Sequence, residues 1–302
     1  MNKDKKMSNQ QWGMIAGILA YAMWGVLPFY WKTLSSVAPL AVLSYRVIWS
    51  CGFMLLVLVL SRQVANFVSE TQELLKNQRR LLAVIAGAVL VTTNWFIFIF
   101  TVSNGKVIDA SLGYYMNPLV NVLLATVFLK ERLGRGELMA CGLAALGVSI
   151  LAISTGAIPW SSLAMAVTFS AYGLLKKVAK VSSLTGLTIE TAIIAPFALI
   201  YVVFFSKAGF MSYSLPINLL LVGAGVVTAI PLFLFAETTK RLPYILVGFL
   251  QYIAPTLMLL GAVFQFNESF AWPQLLGFSC IWLGILVFTY SNVLFYKKSK
   301  RM

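Results

Sequence analysis

Two charged residues lie deep inside apolar stretches. Arg46 interrupts the run 39–60, and Glu190 interrupts the run 184–205. A charged group within a membrane-spanning segment is costly, and it marks by default a path for ions or polar cargo. Arg46 sits about seven residues into its run, roughly 10 Å at 1.5 Å per residue. Glu190 sits about six residues into its own run, entered from the opposite face. Asp109 opens the apolar run 110–129 near the level of Arg46, and Lys176 and Lys177 close the run 159–175 near the level of Glu190. These side-chain types support ion pairs that form and break. Arg46 with Asp109 would make one gate, and Glu190 with Lys176 or Lys177 a second at the other face. Static pairs that neutralise charge at span ends are the plainer reading. For Lys177, snorkelling to the interface competes with gating.

Uncharged polar residues follow helical spacing. Tyr114, Asn117 and Asn121 fall at i, i+3 and i+7, on one helix face. Gln251 and Tyr252 stand beside Pro255, and Asn94 beside Trp95. Together with Arg46 and Glu190 they are candidates to line a cavity for an amphipathic small molecule. Hydrogen bonding between helices is the alternative use of the same amides. Pro118, Pro196, Pro231 and Pro255 sit within apolar runs, where a missing N–H frees a carbonyl and kinks a helix.

Several chemistries are excluded. The chain has no histidine, and Asp109 is its only aspartate besides Asp4, so neither histidine-based nor paired-aspartate catalysis is available. No GxxxxGK[ST] occurs, so no ATP hydrolysis is expected. The cysteines Cys51, Cys141 and Cys280 are odd in number, lie in apolar runs and form no CxxC, so neither a metal site nor a disulfide is expected. No cofactor is called for. Glu190 and Asp109 are the only plausible proton carriers, which makes a proton a candidate coupling ion.

The elements that must position these residues are membrane helices. Of 302 residues, 60% are hydrophobic and 11% charged, with mean hydropathy +0.87. Soluble domains carry about 25% charged residues. Ten runs approach the roughly 20 residues needed to cross a bilayer: 12–31, 39–60, 81–100, 110–129, 137–154, 159–175, 184–205, 215–236, 243–264 and 273–295. The longest connection, 61–80, has room for a surface helix in ETQELLKNQ. The net charge of +14 reads as topology rather than nucleic-acid binding. Of the 23 Lys and Arg, Lys32, Lys106 and Lys207 fall on one side, Arg46 falls within a span, and the remaining 19 fall on the other side. By the positive-inside rule both termini are cytoplasmic. Glu237 reads as solvated, and Trp12, Trp31, Trp160 and Trp272 as interfacial anchors.

The chain repeats itself. GYYMNPLVNVLLATVFLKE (113–131) overlays FLQYIAPTLMLLGAVFQFNE (249–268) at a shift of 137, matching Tyr115 with Tyr252, Pro118 with Pro255 and Glu131 with Glu268. Gly147 then meets Gly284 at the same shift. Trp24–Ser36 aligns with Tyr172–Ser183 at a shift of 147–148, the difference being the longer 61–80 connection. Residues 1–155 and 156–302 are therefore expected to form two repeats of five spans. An odd number of spans inverts the second copy in the membrane, an arrangement found in secondary transporters. Glu131 and Glu268, matched at span ends, read as structural contacts made twice.

YRVIWS (45–50), NWFIF (94–98), DASLGYYMNPLVN (109–121), YGLLKK (172–177), IETAIIAP (189–196), GVVTAIPLFLF (225–235) and GFLQYIAPTLM (248–258) resemble the EamA-type branch of the drug/metabolite transporter superfamily, and within it the RarD group. The resemblance implies a ten-helix permease of the bacterial cytoplasmic membrane that exports a small metabolite or drug. Amino-acid-like and chloramphenicol-like compounds are candidate cargo. Tyr45 departs from the histidine expected in RarD relatives, so no titrating group stands there. A membrane sensor or assembly protein without transport, and a lipid flippase, are the competing readings.

Overall fold

The computed structural model describes residues 8–104, 107–154, 160–266 and 272–299, with side chains from 102–103, 107–111, 262–266 and 292–299 left out of the description. The chain is helical, and no strand occurs among the described residues. The helices are α1 (Asn9–Thr33), α2 (Pro39–Leu60), α3 (Val64–Lys76), α4 (Gln78–Ser103), α5 (Val107–Phe128) and α6 (Arg135–Ser154), then α7 (Trp160–Val178), α8 (Ser183–Ile200), α9 (Leu215–Arg241), α10 (Tyr244–Leu250), α11 (Ile253–Phe266) and α12 (Trp272–Ser299).

Local sequence explains where the helices start. Ser8 and Gln11 form a capping box on α1: the Gln11 amide donates to Ser8 Oγ at 3.1 Å, and the Ser8 amide donates to Gln11 Oε1 at 2.9 Å. Pro39 and Pro216 stand in the first turns of α2 and α9, where an absent N–H costs nothing. The surface helix expected in 61–80 is α3.

Among the described residues, eight segments are long and apolar enough to cross a membrane, and the chain is a multi-pass membrane protein. The described apolar part of α5, Leu112–Phe128, is shorter, and α7 is not among the eight. Helix α7 is diluted by Ser161, Ser162, Thr168, Ser170, Lys176 and Lys177.

The run 243–264, expected as one helix with a kink, is two helices. The break falls at Gln251–Tyr252, between α10 and α11. Pro255 has no N–H to give the Gln251 carbonyl, and its ring crowds that same carbonyl. By contrast α5 and α9 run unbroken through Pro118 and Pro231. Beyond Pro196, α8 stays helical to Ile200 and then widens into a π turn at Tyr201–Phe205.

The tightest seam joins α6 and α12, which pack on each other more extensively than any other pair. It is built from small residues. A Cβ added at Gly284 would meet the Ala140 carbonyl at 2.8 Å, one at Gly277 would meet Leu151 Cγ at 2.7 Å, and one at Gly147 would strike the Gly277 carbonyl. Lipid offers no hydrophobic drive for helices to associate, so close backbone approach through small residues supplies the packing. Elsewhere α1 packs on α9 and α11, α2 on α8 and α9, α4 on α7 and α8, and α5 on α7 and α10.

Gly284→Leu should therefore force the α6–α12 seam apart, costing about 1–3 kcal/mol or more because backbone cannot yield as a side chain can. Gly142→Leu is the matched control, since a Cβ there meets nothing within 4 Å. Thermal unfolding of the purified variants should give a lower midpoint for Gly284→Leu and an unchanged or higher one for Gly142→Leu.

Candidate functional site

Helix α7 places Tyr172 and Lys176 one turn apart, so both side chains leave the same face. Helix α8 brings Glu190 against them. Glu190 Oε1 lies 2.7 Å from Lys176 Nζ, and the Tyr172 hydroxyl donates to Glu190 Oε2 at 3.2 Å. Lys176 also sits 5.4 Å from the Tyr172 ring centroid. Both charged side chains are almost wholly buried, at 6% and 5% exposure, so each depends on the other. Two glycines border the pair. A Cβ at Gly87 would lie 3.5 Å from Glu190 Oε1, and one at Gly186 would lie 3.6 Å from Lys176 Nζ. Behind Tyr172, its ring stacks 6.0 Å from Phe235, which in turn meets Trp24 at 5.6 Å and Phe169 at 5.3 Å.

Glu190 and Tyr172 face a narrow cleft with Val47 and Ser50 of α2, Val91, Thr92 and Trp95 of α4, Leu187, Thr191 and Ile194 of α8, and Leu232 of α9. It holds about 320 Å³ of empty space including its open side, but its closed part has room for little more than one water. Trp95 is a wall of this cleft and also carries Arg46 on its ring, the guanidinium carbon lying 4.8 Å from the ring centroid. Arg46 lies 4.5 Å from the Trp31 ring as well, and its Nε donates to Thr228 Oγ1 at 3.1 Å. Tyr114 is close enough to interact electrostatically with the guanidinium.

Residues 11–153 match the EamA-like transporter family. Transporter YojE of Bacillus subtilis is 45% identical over 291 residues, spanning 95% of this chain and 97% of its own. Protein RarD of Salmonella typhi is 39% identical over 288 residues, spanning 94% and 96%. The chain belongs to the RarD group of the EamA-like transporter family. This RarD-group chain is accordingly a membrane transporter. A solved crystal structure 19% identical in sequence superposes with a TM-score of 0.70 over 92% of this chain and 96% of that one, so the two share a fold.

The RarD-group chain distributes the residues singled out from sequence among several contacts. Of the two lysines open to Glu190, Lys176 takes the carboxylate, while Lys177 donates to the carbonyls of Thr239 at 3.1 Å and Leu242 at 2.5 Å. The Asp109 side chain lies outside the described residues, as does Glu268. Among the described residues, no carboxylate lies within 4 Å of Arg46. Asn94 joins α4 to α7, donating to the Met165 carbonyl at 2.8 Å and Thr168 Oγ1 at 3.1 Å. Asn121 donates to Gln251 Oε1 at 2.6 Å, tying α5 to the α10–α11 break. The Asn117 carbonyl accepts from Ser170 Oγ at 3.2 Å. Asn94, Asn117, Asn121, Gln251 and Tyr252 are all buried in seams between helices and do not line the cleft.

Two other positions, Trp31 and Glu237, have roles that spacing did not suggest, while Glu131 makes the kind of structural contact expected of it. Trp31 is half-buried beneath Arg46 rather than free at the interface. Glu237 is not solvated: it accepts from Ser183 Oγ at 2.5 Å and pairs with Arg241. Glu131 caps α10, accepting from the Tyr244 and Ile245 amides at 2.7 and 2.9 Å. Tyr45, where a histidine is expected in relatives, is fully buried, and its hydroxyl accepts from the Met211 amide at 2.7 Å.

Sequence spacing also missed a clamp around the turn 178–183. Arg80 donates to the Ala179 carbonyl at 2.9 Å and to that of Lys180, and Lys240 donates to Val181. From the surface helix α3, Glu70 accepts from the Ser182 hydroxyl at 2.6 Å and the Ser182 amide at 3.3 Å. Partial burial pushes the Glu70 carboxyl up. The Ser182 and Thr185 hydrogen bonds and the Lys240 charge outweigh that, so it ends below its ordinary value of 4.5.

Two outcomes follow. Glu190→Ala strands a buried ammonium and should destabilise the protein by about 3–5 kcal/mol. Glu190→Ala combined with Lys176→Met should recover most of that loss in denaturation midpoints. For Glu70 the native state holds the lower pKa, so its contribution is complete above the unfolded value and is lost as pH falls through the folded one. Between about pH 6 and pH 3.5 the wild type should lose about 1 kcal/mol more stability than Glu70→Gln, read as the shift in thermal midpoint.

Proposed function

We propose that this chain is a secondary transporter of small organic molecules, built as two inverted five-span repeats, 1–155 and 156–302, that exchange shapes around the cleft. Ten crossings follow if α5 and α7, shielded from lipid by packing on each other and on neighbouring helices, cross with the eight more apolar segments. The contacts obey the repeat. The Gly147 approach to the Gly277 carbonyl and the Gly284 approach to the Ala140 carbonyl are each other's images at a shift of 137. Trp95 and Leu232 are related by the same shift, Val47 and Ile194 by 147, and all four line the cleft. These pairings support a pseudo-axis through it.

The observation that carries alternating access is a broken symmetry. The Tyr115 hydroxyl donates to the Pro255 carbonyl at 2.9 Å. Its counterpart Tyr252, only 1% exposed, should donate to the Pro118 carbonyl, yet its hydroxyl has no partner among the described residues. Equivalent residues in unequal contacts are what one of two interconverting states requires. In the opposite-facing state Tyr252 takes Pro118 and Tyr115 releases Pro255. The Glu190–Lys176 pair, at the cleft, is the gate that opens and the carboxylate that takes a coupling proton. Arg46 and Asp109 would form the gate at the other face. The basic ends and both termini face the cytoplasm of a bacterial cytoplasmic membrane, and the lipid bilayer is the only other partner required. Amino-acid-like and chloramphenicol-like compounds are the first cargo to try.

A hydrogen bond is worth about 1 kcal/mol, or roughly a fivefold change in population. Tyr115→Phe should thus shift the equilibrium about fivefold towards the opposite-facing state, and Tyr252→Phe towards the one described here. Spin-label distances across the two ends of the bundle, in a cysteine-free background, read both shifts. Efflux from loaded proteoliposomes, with and without a proton gradient, tests transport itself: saturable flux that loses its gradient dependence in Glu190→Gln is expected. Absence of flux for every cargo would favour a sensor or assembly protein.

A further inference from the structure

We propose that Arg46 docks the carboxylate of a small organic anion whose apolar body lies against Trp95 when the cleft opens. The inference rests on the transport reading above and names the chemical class of its cargo. A guanidinium carries five N–H donors. At Arg46 the Nε–H is committed to Thr228 Oγ1 at 3.1 Å, and no terminal N–H meets an acceptor among the described residues. Nor does any carboxylate approach within 4 Å among those residues.

Two indole faces, at 4.5 and 4.8 Å, hold the guanidinium plane in place. Aromatic faces attract a cation without consuming its hydrogen bonds. The Nε bond to Thr228 fixes the remaining rotation. The result is a pre-oriented fork whose outer edge meets no acceptor among the described residues, and that edge matches the two oxygens of a carboxylate.

The adjoining space sets the rest of the ligand. Trp95 is common to Arg46 and the cleft, and Val47 follows Arg46 on α2 and lines the same space. Ile194 and Leu232 extend an apolar wall, and the carboxylate of Glu190 at the far side is already held by Lys176 and Tyr172. A negative head next to Arg46 with a flat apolar body against Trp95 satisfies both. An organic cation would place its charge beside Arg46 with no compensating acid.

The test uses the full-length protein in nanodiscs and three probes with one body: phenylacetate, 2-phenylethanol and phenethylamine. Binding is read by tryptophan fluorescence, which Trp31 and Trp95 make sensitive to this site, and by calorimetry. Phenylacetate should bind saturably, about tenfold or more tighter than the alcohol, with the amine weakest. Arg46→Gln should weaken phenylacetate about tenfold and leave the alcohol unchanged, while Arg46→Lys should fall between. If Arg46→Gln unfolds, Thr228→Val, which frees the fork to rotate, should weaken phenylacetate alone. Equal binding of the three probes, no saturable binding of phenylacetate, or phenylacetate binding indifferent to these substitutions would overturn the proposal. Binding as expected without flux would leave it standing and sink the transport reading. Flux of neutral or cationic cargo by a protein that ignores phenylacetate would do the reverse.

Discussion

An ammonium and a carboxylate 2.7 Å apart inside an apolar bundle constrain much of what surrounds them. Removing two charges from water costs several kcal/mol each, and only close pairing with further hydrogen bonds offsets it. On the carboxylate side the chain meets that demand with a small set of residues, while Lys176 Nζ has no hydrogen-bonding partner beyond the ion pair among the described residues. Tyr172 satisfies the second carboxylate oxygen. The stacked ring of Phe235 fixes Tyr172 from behind. The pair thereby ties α7 to α8 beside a cleft that also touches α2, α4 and α9. A pair buried at such cost is a poor way to add stability. It suits a contact that must differ between two states.

Prolines shape the same region by asymmetry. Pro118 and Pro255 occupy equivalent positions, yet α5 runs straight through one while the other coincides with the break between α10 and α11. The same proline with different outcomes points to its surroundings. At the break, Asn121 holds the Gln251 side chain and Glu131 caps α10, so the interrupted segment has partners at its start and at its break. Polar backbone away from water is tolerated only where neighbouring groups satisfy it. Two of the amides that spacing offers as cavity lining, Asn121 and Gln251, instead bond each other at the break.

That contrast marks what a sequence of this kind makes legible. Hydropathy and the repeat are written in the order of residues, because each helix must be apolar along its own length. Helix positions, the surface helix α3 and the internal match at Tyr115 and Tyr252 follow from that. Which helix faces which neighbour does not. Trp31 reads as an anchor because it ends a span, and only the crossing of α1 and α2 puts its ring on Arg46. Lys176 and Lys177 are adjacent in sequence, and one residue of helical rotation sends one to Glu190 and the other to the Thr239 and Leu242 carbonyls. Glu237 reads as solvated because it ends α9, but the turn 178–183 folds against it.

The turn itself carries the argument further. Its carbonyls are held by Arg80 from α4 and Lys240 from α9, and its hydroxyls by Glu70 from α3 and Glu237 from α9. Those basic residues read from sequence as markers of orientation. In the structure they also bind backbone groups left unpaired where α7 ends and α8 begins, as cations near a helix C-terminus do. Glu190 lies two turns along α8 from this clamp. Any motion that separates α7 from α8 must therefore disturb the Glu190–Lys176 pair and the clamp together. A charge change at Glu190 and a rearrangement at the basic end of the bundle are thus coupled by the shortness of the 178–183 turn, with no longer path between them required.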